Sequence, residues 1–97
     1  MFIITHQILV RRSDGRGSDK IATRIQTEPF NGEVLRFGTR AEARAWIDTQ
    51  MPDWTSRDIG GVTRRHHGWS VVDIDRAPRY VDELLSAPAA AEYIRAA

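Results

Sequence analysis

Ninety-seven residues suit one domain with a single core, and the absence of cysteine excludes disulfides, a thiolate metal site and a thiol nucleophile, which fits a reducing cytoplasm. A net charge of +1 excludes capture of nucleic acid by bulk charge alone. The kind of charge is more informative: of the 14 basic residues all but Lys20 are arginine, whose planar fork recognises carboxylate and phosphate.

The start, MFIITHQILVRR, has no basic segment ahead of its apolar run and no small-residue cleavage pattern. Thr5, His6 and Gln7 also interrupt it, so the expectation is a strand and not a leader or a membrane span. Period-two alternation supports that. Phe2, Ile4, Ile8 and Val10 share one side; Ile3, Thr5, Gln7, Leu9 and Arg11 share the other. SDGRGSD (13–19) reads as a loop. Residues 20–27 alternate again, with Ile21, Thr23 and Ile25 opposed to Lys20, Arg24 and Gln26, which completes a long hairpin. PFNG (29–32) is a turn, since Asn-Gly favours a tight reversal, and a short strand is expected over 33–37.

The segment 39–51 is the main predicted helix. Thr39 and Glu42 have capping-box spacing, Ala43, Trp46, Ile47 and Met51 form an apolar face, and Pro52 is the stop. Trp46 is the expected core anchor of that face. A loop over 53–61 ends in Gly60-Gly61. Val62–Arg65 and Trp69–Asp75 then read as two strands joined by HHG, with Gly68 at the left-handed position of a hairpin tip. The end reads as helix in two pieces. Pro78 stands in a first turn, Val81, Leu84 and Leu85 form a stripe, and Ser86 caps an alanine-rich second piece; 82–97 is a loosely packed tail. The expected architecture is one α+β domain over 1–97. It has two layers: an antiparallel sheet of four to five strands, the 39–51 helix on one face, and a C-terminal helix.

Chemistry-bearing residues gather in TRRHHGW (63–69). Adjacent His66 and His67 point opposite ways on an extended chain and rarely share an ion, so a metal site would also need His6 or a carboxylate from Asp73 or Asp75, which are two apart on one strand face. No metal, no cofactor and no catalytic residue is expected. Interfaces favour arginine and aromatic anchors, which makes Arg64, Arg65, His66, His67 and Trp69, with Arg11 and Arg24 on the sheet, the candidate partner-binding set. If the aliphatic side of the sheet meets the helix, Thr5, Gln7, Arg11, Lys20, Arg24 and Gln26 make a polar outer face able to meet DNA.

HQILVRRSDG…KIATRIQ…EVLRFGTRAEARAWI resembles the small N-terminal arm-binding domain of phage-type integrases. In that family three strands enter one helix through a phrase of the form F-x-T-x-x-E-A-x-x-W, here Phe37, Thr39, Glu42, Ala43 and Trp46. The resemblance covers residues 6–51 and implies DNA binding through the sheet. Stand-alone chains of this size without a catalytic set are also similar in kind to phage and mobile-element inhibitors of the anti-CRISPR type, which cover a functional surface on a host complex. Three functions are thus expected in order. The first is a non-catalytic, cytoplasmic interaction protein that modulates a protein or ribonucleoprotein partner, with no membrane involved. A DNA-binding module comes second, and a small nuclease using His66 or His67 beside Arg64 and Arg65 third.

Overall fold

The computed structural model describes residues 1–50, 60–88 and 91–97. The elements run β1 (Phe2–Arg12), β2 (Lys20–Ile25), β3 (Arg36–Phe37), α1 (Arg40–Asp48), β4 (Val62–Asp73), a 3-10 turn (Ile74–Arg76), α2 (Arg79–Leu85) and β5 (Tyr93–Ala96). This is an α+β fold: one five-stranded antiparallel sheet with two helices. Met51, Pro52 and most of the expected 53–61 loop lie outside the described residues. Among the described residues no helix is long and apolar enough to cross a membrane.

β1 is central. β4 runs along its whole length on one edge, while β2 and then β3 line the other, and β5 extends the sheet beyond β2. Gly15 and Gly17 take left-handed backbone in the β1–β2 connection, and Gly32 does so (φ 71°) in the expected Asn-Gly turn. A bridge between Thr27 and Val34 continues the hairpin toward β3, which is shorter than the sequence alone indicates.

The two faces of the sheet carry different helices. On one face Phe2, Ile4, His6 and Ile8 lie beside Trp69, His66, Arg24 and Ala22, by the register of the pairs. α1 meets this face: Trp46 stacks on Trp69, and Arg40 sits over the Phe2 ring at 5.1 Å. On the other face Ile3 and Ile25 pack with Val81 of α2, and Val34, Val72, Leu84 and Leu85 close the cluster. Coverage from both sides buries Ile3 and Ile4, neighbours in sequence, to 0% exposure each. These are the α1 face and the α2 face of the sheet.

Thr39 caps α1, its Oγ1 accepting the Glu42 N–H at 3.1 Å. Ala43 is the buried residue of α1, and Trp46 is half-buried against Trp69 instead of sealed in the core.

Three expectations are corrected. Residues 62–73 form one strand, not a hairpin. Gly68 has no left-handed φ, and β-branched and aromatic side chains let the whole run pair with β1. The glycine marks a β-bulge instead: Gly68 pairs with Gln7 and His66 with Ile8, which leaves His67 as the extra residue. The final segment is a strand, not a second helical piece. Helix propensity of the alanines yields to the open edge of β2, which β5 fills from Thr23↔Tyr93 to Lys20↔Ala96. Finally, the expected polar outer face is not assembled. Thr5, Gln7 and Arg11 share a face with Ile25, Thr23 and Ile21, whereas Lys20 and Arg24 face the other way with Val10 and His6. The expectation assumed a sheet covered on one side only.

Candidate functional site

The β4 register distributes the predicted residues. Arg64, His66 and Trp69 join Arg24 on the α1 face, Arg65 joins Arg11 on the α2 face, and His67 is exposed at the bulge. Arg64 and Arg65, one motif in sequence, therefore serve two places.

The α1 face holds an imidazole–indole array. His6 Nε2 lies 2.9 Å from His66 Nδ1, and Trp69 Nε1–H donates to the same Nδ1 at 3.1 Å. Two donors on one nitrogen require its lone pair, so the hydrogen-bond pattern assigns the His66 proton to Nε2 and makes His6 Nε2 the other donor. The rings pack closely as well: centroids are 5.0 Å apart for His6–His66 and 5.3 Å for His66–Trp69, and Trp69 stacks on Trp46 at 5.2 Å and 29°. Burial, reinforced by His66 and Arg24, lowers the His6 pKa to about 4. Burial and His67 hold His66 below the ordinary imidazole value.

Beside the array is a charge triad. Arg24 donates to Glu92 Oε2 at 2.6 Å through Nη2 and at 3.2 Å through Nε, and Arg64 Nη2 donates to the same oxygen. Burial pushes the Glu92 carboxyl up, but the two guanidiniums outweigh it, and its pKa lies below the ordinary value. Glu92 precedes β5, so the triad ties the last strand to β2 and β4. Sequence reasoning missed both His6 as a hub and Glu92. Only His6 left a signal, as a ring at an apolar position between Ile4 and Ile8.

The α2 face ends in an arginine-lined depression of about 270 Å³, bounded by Leu9, Arg11, Arg12, Ser13, Thr63 and Arg65. Its rows follow from Leu9↔Arg65 and Arg11↔Thr63. Arg11 grips Asp19 with two nitrogens, at 2.8 Å through Nη2 and 3.1 Å through Nε, and Arg12 Nη2 meets Asp14 at 2.8 Å. The Arg11 hydrogen bond lowers the Asp19 pKa, and Arg65 adds to that. Arg65 itself is exposed. The same end of the sheet also gathers Lys20 and Arg95, through Val10↔Lys20 and Ile21↔Arg95.

At the other end, a groove of about 570 Å³ runs between the β2–β3 turn and the end of α2, over Ile25, Val34, Leu84 and Leu85. Phe30, in the β2–β3 turn, is 99% exposed. The Asp73 carboxylate accepts the Asp75 backbone N–H at 3.0 Å.

No known protein family, curated protein or solved structure matches the chain.

Proposed function

We propose that this chain is a non-catalytic binding protein that docks on a protein or ribonucleoprotein partner through the arginine-lined end of its sheet, and modulates that partner by covering its surface. The observation that carries this reading is the convergence of Arg11, Arg12 and Arg65 around Leu9. A guanidinium rim over an aliphatic floor suits an acidic side chain next to an apolar one on a protein surface. Internal carboxylates already pair with Arg11 and Arg12, so two guanidiniums are oriented before a partner arrives.

DNA binding on one polar sheet face has less support, because Arg11 and Arg24 lie on opposite faces. A general base at His66 has less support too, because its Nδ1 lone pair already receives two N–H groups.

Arg65→Glu and Arg12→Glu test the proposal in a pull-down from host lysate, run beside a duplex-DNA titration at two salt concentrations. Each charge reversal should remove the partners that the native chain retains, and DNA affinity should be weak. Partners retained in full by both variants refute the docking surface. Duplex binding that falls by several log units per log unit of salt makes the DNA reading the better one.

A further inference from the structure

The His6–His66–Trp69 array lies on the face opposite the arginine depression. A neutral imidazole offers one ring lone pair. In His66 that lone pair is on Nδ1, and both His6 Nε2 and Trp69 Nε1 direct N–H groups at it. A proton added to Nδ1 turns the only acceptor into a third donor. The Trp69 N–H then faces an N–H⁺ and the indole must move away, while His6 keeps its contact by shifting its own proton to Nδ1 and accepting through Nε2. Trp69 is also the surface on which Trp46 stacks, so separation of the rings reaches α1.

We propose that His66 and His6 form a proton-operated latch for α1: at neutral pH the latch holds Trp69 in place under Trp46, and in acid proton uptake at His66 Nδ1 releases α1 from the sheet. The charged groups facing the pair, among the described residues, are Arg24 from β2, Arg64 and His67 from β4, and Glu92 ahead of β5. α1 presents the uncharged Trp46. Arg24 and His67 oppose protonation of the pair. The two arginines hold the Glu92 carboxyl below its ordinary value.

The direction follows from linkage. Both imidazoles bind a proton less readily in the folded chain than in the open one, so the latch is complete above about pH 6.5 and fails as the pH falls toward 4. For His6 that interval sets an upper limit of about 300-fold on the change in the closed-to-open equilibrium, because Arg24 and His66 stay beside it on the sheet when α1 leaves.

The test is a nuclear magnetic resonance titration of the full chain from pH 7.5 to 3.5. It follows the imidazole signals of His6 and His66, the Trp69 indole N–H, and hydrogen-exchange protection of the Ala43 to Ile47 amides. The latch predicts one coupled transition. In it the indole signal shifts and α1 protection falls about 100-fold or more, while the β1–β2 amides keep theirs. In the double variant His6→Gln, His66→Asn, a side-chain N–H still meets a side-chain oxygen and neither position takes up a proton, so the loss of α1 protection seen in the native chain should be absent. The latch is overturned if α1 stays protected after both imidazoles have taken up protons. It is equally overturned if the double variant loses α1 at the same pH, or if α1 and the sheet open together. Should the double variant fail to fold, the native titration decides alone.

Discussion

Glu92→Gln tests the charge triad that pins β5. The substitution keeps the shape and removes the charge, which leaves Arg24 and Arg64 facing a neutral amide. Removing one member of a fully buried ion pair costs about 3–5 kcal/mol, and an exposed pair contributes about 0.2–1 kcal/mol. This triad lies between those limits. Side-chain exposure is 16% for Glu92, 40% for Arg24 and 32% for Arg64. Solvent therefore screens the guanidiniums while the carboxylate is largely enclosed, and the expected loss is about 1–3 kcal/mol. At this chain length that loss lowers the melting temperature by roughly 5–20 °C. Urea denaturation followed by circular dichroism measures the total. Hydrogen exchange along Thr23↔Tyr93 and Ile21↔Arg95 shows whether the β2–β5 ladder opens first. The pH dependence supplies a second constraint. Because the folded-state carboxyl pKa is depressed, its stabilisation is present above the ordinary glutamate value and disappears as pH falls through the folded value. The native chain and the variant should therefore converge in acid. A variant within 0.5 kcal/mol of the native chain at pH 7, or a gap that persists unchanged at pH 2, refutes the assignment.

Val81→Ala empties a site of 0% exposure between Ile3 and Ile25 and should cost about 1–3 kcal/mol by urea denaturation; a cost under 0.5 kcal/mol means α2 does not pack there. Deleting His67 removes the bulge residue and leaves every other β4 partner in register, so the fold should survive with a loss of about 1 kcal/mol or less. Deleting Ser70 instead turns Trp69 to the α2 face, and the Trp69 indole resonance should move in that variant alone.

Local physics was legible in the sequence. The alternation of 2–12, the Asn-Gly turn and the Thr39 cap each depend on residues within a few positions of one another, and each stands where the pattern indicated. The misread segments depend on distant partners. The alanine-rich end has good helix propensity, but β2 presents an open edge that tertiary pairing fills. The polar face was misassembled because period two gives the two sides of each strand but not which side of β2 joins which side of β1. That choice is fixed by a register, Thr5↔Ile25 through Val10↔Lys20, and helices on both faces remove the one-sided hydrophobic signal that would have indicated it. His6 with His66 is 60 residues apart in sequence and Arg24 with Glu92 is 68, so neither pair leaves a local trace.

TRRHHGW shows how one inserted residue organises two surfaces. In an uninterrupted strand, positions three apart point to opposite faces, so His66 and Trp69 could not meet. The bulge at His67 adds one residue on β4 without adding one on β1, which returns His66 to the face that Trp69 occupies and brings Nε1 within 3.1 Å of Nδ1. Upstream of the bulge the alternation resumes unbroken, and it separates the arginines. Arg64 falls on the α1 face, where Glu92 holds it, and Arg65 falls beside Leu9 on the other. Were the same residues paired to β1 without a bulge, the stretch before Gly68 would be turned over: Arg65 would sit with Trp69, and His66 would fall on the α2 face. The glycine that looked like a turn signal is thus part of the device that sets the internal histidine array on one face and the exposed arginine rim on the opposite one.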